Sequence, residues 1–120
     1  MQKKVFKQQK LKDYKSIKEK YKINNYELVE INGKNIKNDL GLRDLFDKSL
    51  KLPSYCGPTM DSVHDCFYDP NWSKKRKFVL LIRDFKYIED FEGLLRIFED
   101  IFSHASRKKD SFIFQVVLFV

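Results

Sequence analysis

Phe78-Val79-Leu80-Leu81-Ile82 is an unbroken run of five apolar residues. A strand with one wet face alternates apolar and polar side chains. A continuous run suits a strand covered on both faces, which is the central position in a parallel sheet. Residues Phe112 to Val120 form a second apolar segment and read as the last strand. Between the two, residues 90–105 carry Leu94, Ile97, Phe98, Ile101 and Ala105 at helical spacing, one apolar stripe on an amphipathic helix. Strand, helix and strand in this order describe a parallel crossover, which is right-handed.

Reading back from Phe78, Lys74-Lys75-Arg76-Lys77 is expected to be a solvated loop, and Asp69-Pro70-Asn71 a break. Pro58 and Thr59 open a short helix, with Thr59 as its N-cap and Met60, Val63 and Phe67 facing inward. Pro53 stops an earlier helix over 39–51, which Asn38 or Asp39 caps and which buries Leu42, Leu45, Phe46 and Leu50. Tyr26-Glu27-Leu28-Val29-Glu30-Ile31 alternates apolar with acidic residues and reads as a strand closed by Asn32-Gly33. Arg107 to Asp110 is the loop before the last strand. Residues 26–120 therefore read β-α-α-β-α-β: an α/β domain with a three-stranded parallel sheet flanked by helices. No internal repeat or low-complexity linker divides it.

Residues 1–25 form a basic N-terminal extension. They hold nine lysines against Asp13 and Glu19, whereas the remaining residues balance fifteen bases with fifteen acids. The formal charge of +7 therefore belongs to the extension. Leu11, Tyr14, Ile17 and Tyr21 recur at helical spacing, so a solvated or frayed helix is expected there. A basic arm for RNA or an acidic protein, and packing of the segment against the domain, are the alternatives.

The 120 residues suit one domain. No apolar stretch is long enough to cross a membrane, and the basic start is not followed by the apolar core of a signal peptide. The expected location is the cytoplasm. Without a secretion signal, Cys56 and Cys66 are not expected to form a disulfide; Cys66 reads as a small buried hydrophobe. His64 and His104 are the only histidines, and the cysteine spacing fits no zinc pattern, so no metal or other cofactor is expected. The sequence has no glycine-rich phosphate loop and no nucleophile elbow. Exposed carboxylates one helical turn apart lack the split pKa values of acid–base catalysis. The chain does not read as an enzyme.

Asp61 and Asp65 are the unusual pair. Spacing of four places them on one face of the short helix. Asp61 in the first turn is favoured by roughly 0.3–1 kcal/mol against the helix dipole. Asp65 lies beyond that effect, and the like-charged pair costs a few tenths of a kcal/mol. Tyr55 in the preceding loop suits an interface anchor. Gly57 permits a backbone bend and leaves its peptide accessible. With Thr59, Met60 and His64 along the same edge, the group reads as a surface that binds protein.

The pattern Pro53-x-Tyr55-Cys56-Gly57-x-x-Met60-Asp61-x-x-x-Asp65-Cys66-Phe67, preceded by Ile31-Asn32-Gly33 and a helix, resembles the barstar family of intracellular ribonuclease inhibitors. The resemblance covers residues 26–120, and Trp72 also matches a tryptophan common in the family. It implies an immunity protein, monomeric when free, that plugs the active site of a small basic ribonuclease toxin. Asp65 would be the deepest phosphate mimic and Asp61 would pair with a second basic group. Tyr55 would pack on a catalytic imidazole, Gly57 would offer backbone contacts, and Asp100 would make an outer acidic contact. Direct nucleic-acid binding is expected only through residues 1–25, if at all. His64 stands where the family carries tryptophan, Thr59 where it carries asparagine, and Cys56 where it has a second tyrosine. His104 falls near another acidic contact. These substitutions imply a target other than barnase itself.

Overall fold

The computed structural model describes residues 6–36, 39–66, 77–108 and 113–120. Four parallel strands form one sheet: β1 (Phe6–Gln9), β2 (Glu27–Asn32), β3 (Lys77–Arg83) and β4 (Ile113–Phe119), in the order β1-β4-β3-β2. The helices are α1 (Tyr14–Ile23), α2 (Asp39–Leu50), α3 (Met60–Cys66) and α4 (Phe91–Lys108). The order over residues 26–120 is the expected β-α-α-β-α-β. From Phe6 onward, however, the chain runs β-α-β-α-α-β-α-β, and the sheet has four strands rather than three.

The fourth strand comes from the basic N-terminal segment. Phe6-Lys7-Gln8-Gln9 has almost no apolar signal, because an edge strand joins the sheet through its backbone. Phe6 lies in register with Val116 and Gln9 with Phe119. The pairing continues past the strand: Val120 N donates to Gln9 O, and Leu11 N to Val120 O, both at 2.9 Å.

β3 is buried along its apolar run, from Phe78 to Ile82. Its side chains alternate between two cores. Phe78, Leu80 and Ile82 join Val29, Ile31, Phe114 and Val116 under α2, α3 and α4. Val79 and Leu81 join Val117 and Phe119 on the opposite face, beneath Tyr14, Ile17 and Tyr21 of α1. This division follows from topology. The β1-to-β2 connection crosses the whole sheet in one direction, and the later connections step back. Right-handed crossovers running in opposite directions must put their helices on opposite faces.

The α1 stripe is weak in sequence because half of it is tyrosine with a polar end. Tyr14 donates to Glu30 Oε1 at 2.7 Å, and Tyr21 donates to Gln115 Oε1 at 2.8 Å. Lys18 Nζ also reaches Glu30, at 3.1 Å. Lys77, expected in a loop, is the first residue of β3. The end of α4 at Lys108 takes in Arg107 and Lys108, which were also expected in a loop. Phe67, Trp72 and Lys74 to Arg76 lie outside the described residues.

Deleting residues 1–25 should unfold the protein. Uncovering Val79, Leu81, Val117 and Phe119, at roughly 1.5–3 kcal/mol each, matches the whole stability of a domain. Far-UV circular dichroism checks this, and a shortened chain that still melts cooperatively near the full-length temperature would contradict it. Burial, then the hydrogen bond to Glu30, raises the Tyr14 pKa above its ordinary value of 10.0. The neutral phenol is thus the form favoured on folding. Its contribution is complete below pH 10.0 and is lost as the pH climbs above that value. Urea midpoints between pH 7 and pH 11 should therefore fall more steeply for the wild type than for Tyr14→Phe.

Candidate functional site

The loop between α2 and α3 is shaped residue by residue. Lys51 turns the chain off α2 with a left-handed φ of 53° while its N–H still donates to Asp47 O at 2.8 Å. Leu52 is buried. Cys56 N then donates to Pro53 O at 3.0 Å, closing a turn that leaves Tyr55 at its tip, 72% exposed. Cys56 itself is buried.

Arg43 of α2 braces this loop from behind. Its Nε donates to Gly57 O at 2.7 Å, and its second guanidinium nitrogen donates to Cys56 O at 3.2 Å. Hydrogen bonds from a charged donor are the stronger kind, about 1.5–3 kcal/mol each, and the planar fork fixes two consecutive carbonyls at once. Asp47, one turn along α2, steadies the guanidinium from 4.0 Å. The Gly57 carbonyl is thus already engaged, contrary to the expectation of an accessible peptide. The expected bend also has another basis. Gly57 has no positive φ, and a side chain there would collide with Ser62, its Cβ 2.8 Å from the Ser62 Cβ.

Thr59 is the N-cap, as expected: its Oγ1 accepts from Ser62 N at 3.2 Å, and its carbonyl accepts from Val63 N at 3.1 Å. α3 has seven residues, too few to persist alone in water. Met60, Val63 and Cys66 are buried and hold it in place, and α3 packs against α2 and α4. Met60 is fully buried, so it supports the loop from beneath and offers no surface of its own. Asp61, His64 and Asp65 lie on α3, while their side chains fall outside the described residues. At about 100° per residue, positions 61 and 65 fall on the side of the helix away from Val63 and Cys66. Asp100 is exposed on α4, and the side chain of His104 is outside the described residues.

Cys56 and Cys66 are joined by a disulfide, against expectation, with their Cα atoms 5.8 Å apart. Spacing in sequence gave no hint. The turn at Pro53–Cys56 folds the loop back along α3, so the helix brings its last residue beside the first cysteine. Cys66 does occupy the expected interior position, but as half of a cross-link. Sequence reasoning also missed Arg43 and Ser62. The signal for Arg43 was a cation next to Leu42 on a helix whose apolar face is otherwise continuous. Among the described residues, no group of three or more His, Cys, Asp or Glu is arranged to hold a metal ion. No described helix is long and apolar enough to cross a membrane.

The family model for barstar, described as the barnase inhibitor, matches residues 26–118. The chain belongs to the barstar family. Comparison with individual curated proteins gives no match. The matched range starts just before β2, so the strand and helix that complete the sheet, β1 and α1, precede it.

Opening the Cys56–Cys66 bridge should cost about 2–3 kcal/mol, the chain-entropy value for a loop of this size. Urea denaturation with and without a dithiol reductant measures this, with a Cys56→Ser/Cys66→Ser variant as reference. A reductant-treated protein as stable as the untreated one would show that the bridge does not constrain the loop.

Proposed function

We propose that the chain is an immunity protein that inhibits a small basic ribonuclease toxin by covering its active site with the 53–59 loop and α3. Membership of the barstar family over residues 26–118 carries this reading. The braced loop supports it. Tyr55 stands exposed on a segment held, even with the Cys56–Cys66 bridge open, by the Arg43 fork and a turn. A pre-shaped loop loses little conformational freedom on binding, which favours affinity.

In this reading Asp65 occupies the place of an RNA phosphate opposite the basic groups of the nuclease, and Asp61 pairs with a neighbouring cation. Tyr55 packs on a ring in the catalytic cleft, with Gly57, Thr59 and His64 along the contact and Asp100 at its rim. Met60 acts from below. Such charges are attracted to a basic cleft and, once buried against it, are costly to remove singly. His64, Thr59 and Cys56 fit a target that differs from barnase. The protein acts in the cytoplasm, where a cell must be protected from its own nuclease.

The test uses barnase and any basic nuclease found encoded beside the gene for this chain. Equimolar wild-type protein should abolish cleavage of a fluorogenic RNA. Asp65→Ala should weaken binding by several kcal/mol, which is more than 100-fold in Kd. Inhibition that survives Asp65→Ala unchanged would remove Asp65 from the contact. A wild-type chain that leaves both that nuclease and barnase fully active would reject the inhibitor reading.

A further inference from the structure

The basic segment is part of the sheet, and the sheet sorts its charge. Parity decides the face. Lys7 is in register with Val117, which lies in the core under α1. Lys77 and Arg83 share parity with Val79 and Leu81 in that same core. Lys77 Nζ sits 5.5 Å from the Tyr26 ring centre, and the Arg83 guanidinium 4.4 Å from that of Tyr14. With the lysines of α1, these cations come from three elements onto one side of the molecule. The buried residues of α2, α3 and α4, with Leu52 and Cys56 of the loop between α2 and α3, are packed on the other.

Three of the cations are used internally: Lys18 pairs with Glu30, Lys77 donates to Asn24 O at 3.3 Å, and Arg83 packs on Tyr14. Lys7, Lys10, Lys12, Lys15, Lys20 and Lys22 are exposed. Asp13 and Glu19 are the only acids in residues 6–25. The chemistry of this face separates two kinds of polyanion. Protein interfaces are enriched in Arg and aromatic anchors and depleted of Lys. Here every cation of the segment is Lys, and the exposed apolar residues, Leu11 and Ile23, stand apart at the two ends of the helical region. Flexible point charges without a fork or an anchor suit phosphates and carry no base readout.

We propose that the β1–α1 face is a second binding surface, for the phosphate backbone of nucleic acid without sequence preference, and that it can be occupied while the 53–59 loop remains free. The surface stands on the far side of the sheet from the loop, so the proposal does not depend on the inhibitor reading.

The test is fluorescence anisotropy of the full chain with a labelled 20-nucleotide oligo(U), and oligo(dT) and poly-glutamate of similar length as further arms. Binding should be micromolar at 50 mM salt and fall on a straight line in log–log salt plots, with a slope of roughly −0.7 per phosphate contacted. Lys7→Gln/Lys15→Gln/Lys22→Gln should reduce the steepness by about 2, in proportion to three lost contacts. Lys48→Gln, on α2, should leave it unchanged. Oligo(U) and oligo(dT) should bind alike. The proposal is overturned by absence of binding at 50 mM salt, by a salt slope near zero, by a triple variant that binds like the wild type, or by poly-glutamate binding as tightly as the oligonucleotides. The last outcome would assign the face to an acidic protein.

Discussion

A strand with no solvent-facing side obliges the rest of the chain to supply two covering layers. β3 is that strand: alternate residues from Phe78 to Ile82 enter separate cores, and neither core can be left open to water. The α2–α4 layer closes one. The other falls to whatever precedes β2, because the connections after β2 are committed to the first face. The lysine-rich N-terminus is therefore structural before it is anything else. Its tyrosines satisfy both demands, with rings on Val79, Leu81, Val117 and Phe119 and hydroxyls on Glu30 and Gln115.

The same layering sets the mechanics of the loop. Arg43 works because α2 is anchored under the sheet by Leu42, Phe46 and Leu50, so its guanidinium is presented from a rigid base. α3 contributes little stability of its own. It is a short element pinned at Met60, Val63 and Cys66, and it serves to hold the 53–59 loop at one end while Arg43 holds the middle. Tyr55 is thereby an exposed side chain on a braced piece of backbone.

Legibility in the sequence followed burial. β3, β4 and α4 were readable because long apolar runs or stripes leave few alternatives. α2 and the Thr59 cap were readable because Pro53 and Pro58 punctuate the chain. β1 was not, since Phe6 is its one apolar residue and backbone pairing leaves no trace in composition. α1 was readable as a helix, but its packing against the domain was only one of the alternatives, because tyrosines and lysines dilute its stripe. For the loop, residue types pointed to Tyr55, Gly57 and Thr59. The reasons for Gly57 became visible only in three dimensions: it makes room for Ser62, and its carbonyl belongs to Arg43. The disulfide was invisible for a related reason, because ten residues of separation say nothing until the turn and helix bring the ends together.

That bridge links the loop to electron supply. Disulfides persist in oxidising compartments and are opened where glutathione and thioredoxin keep thiols reduced. With the bridge closed, residues 56–66 form a covalent ring in which loop and helix move as one body. With it open, the loop depends on the Arg43 fork and its own turn. One sequence thus has two stiffnesses at the same surface, the harder one outside a reducing cell interior and the softer one within.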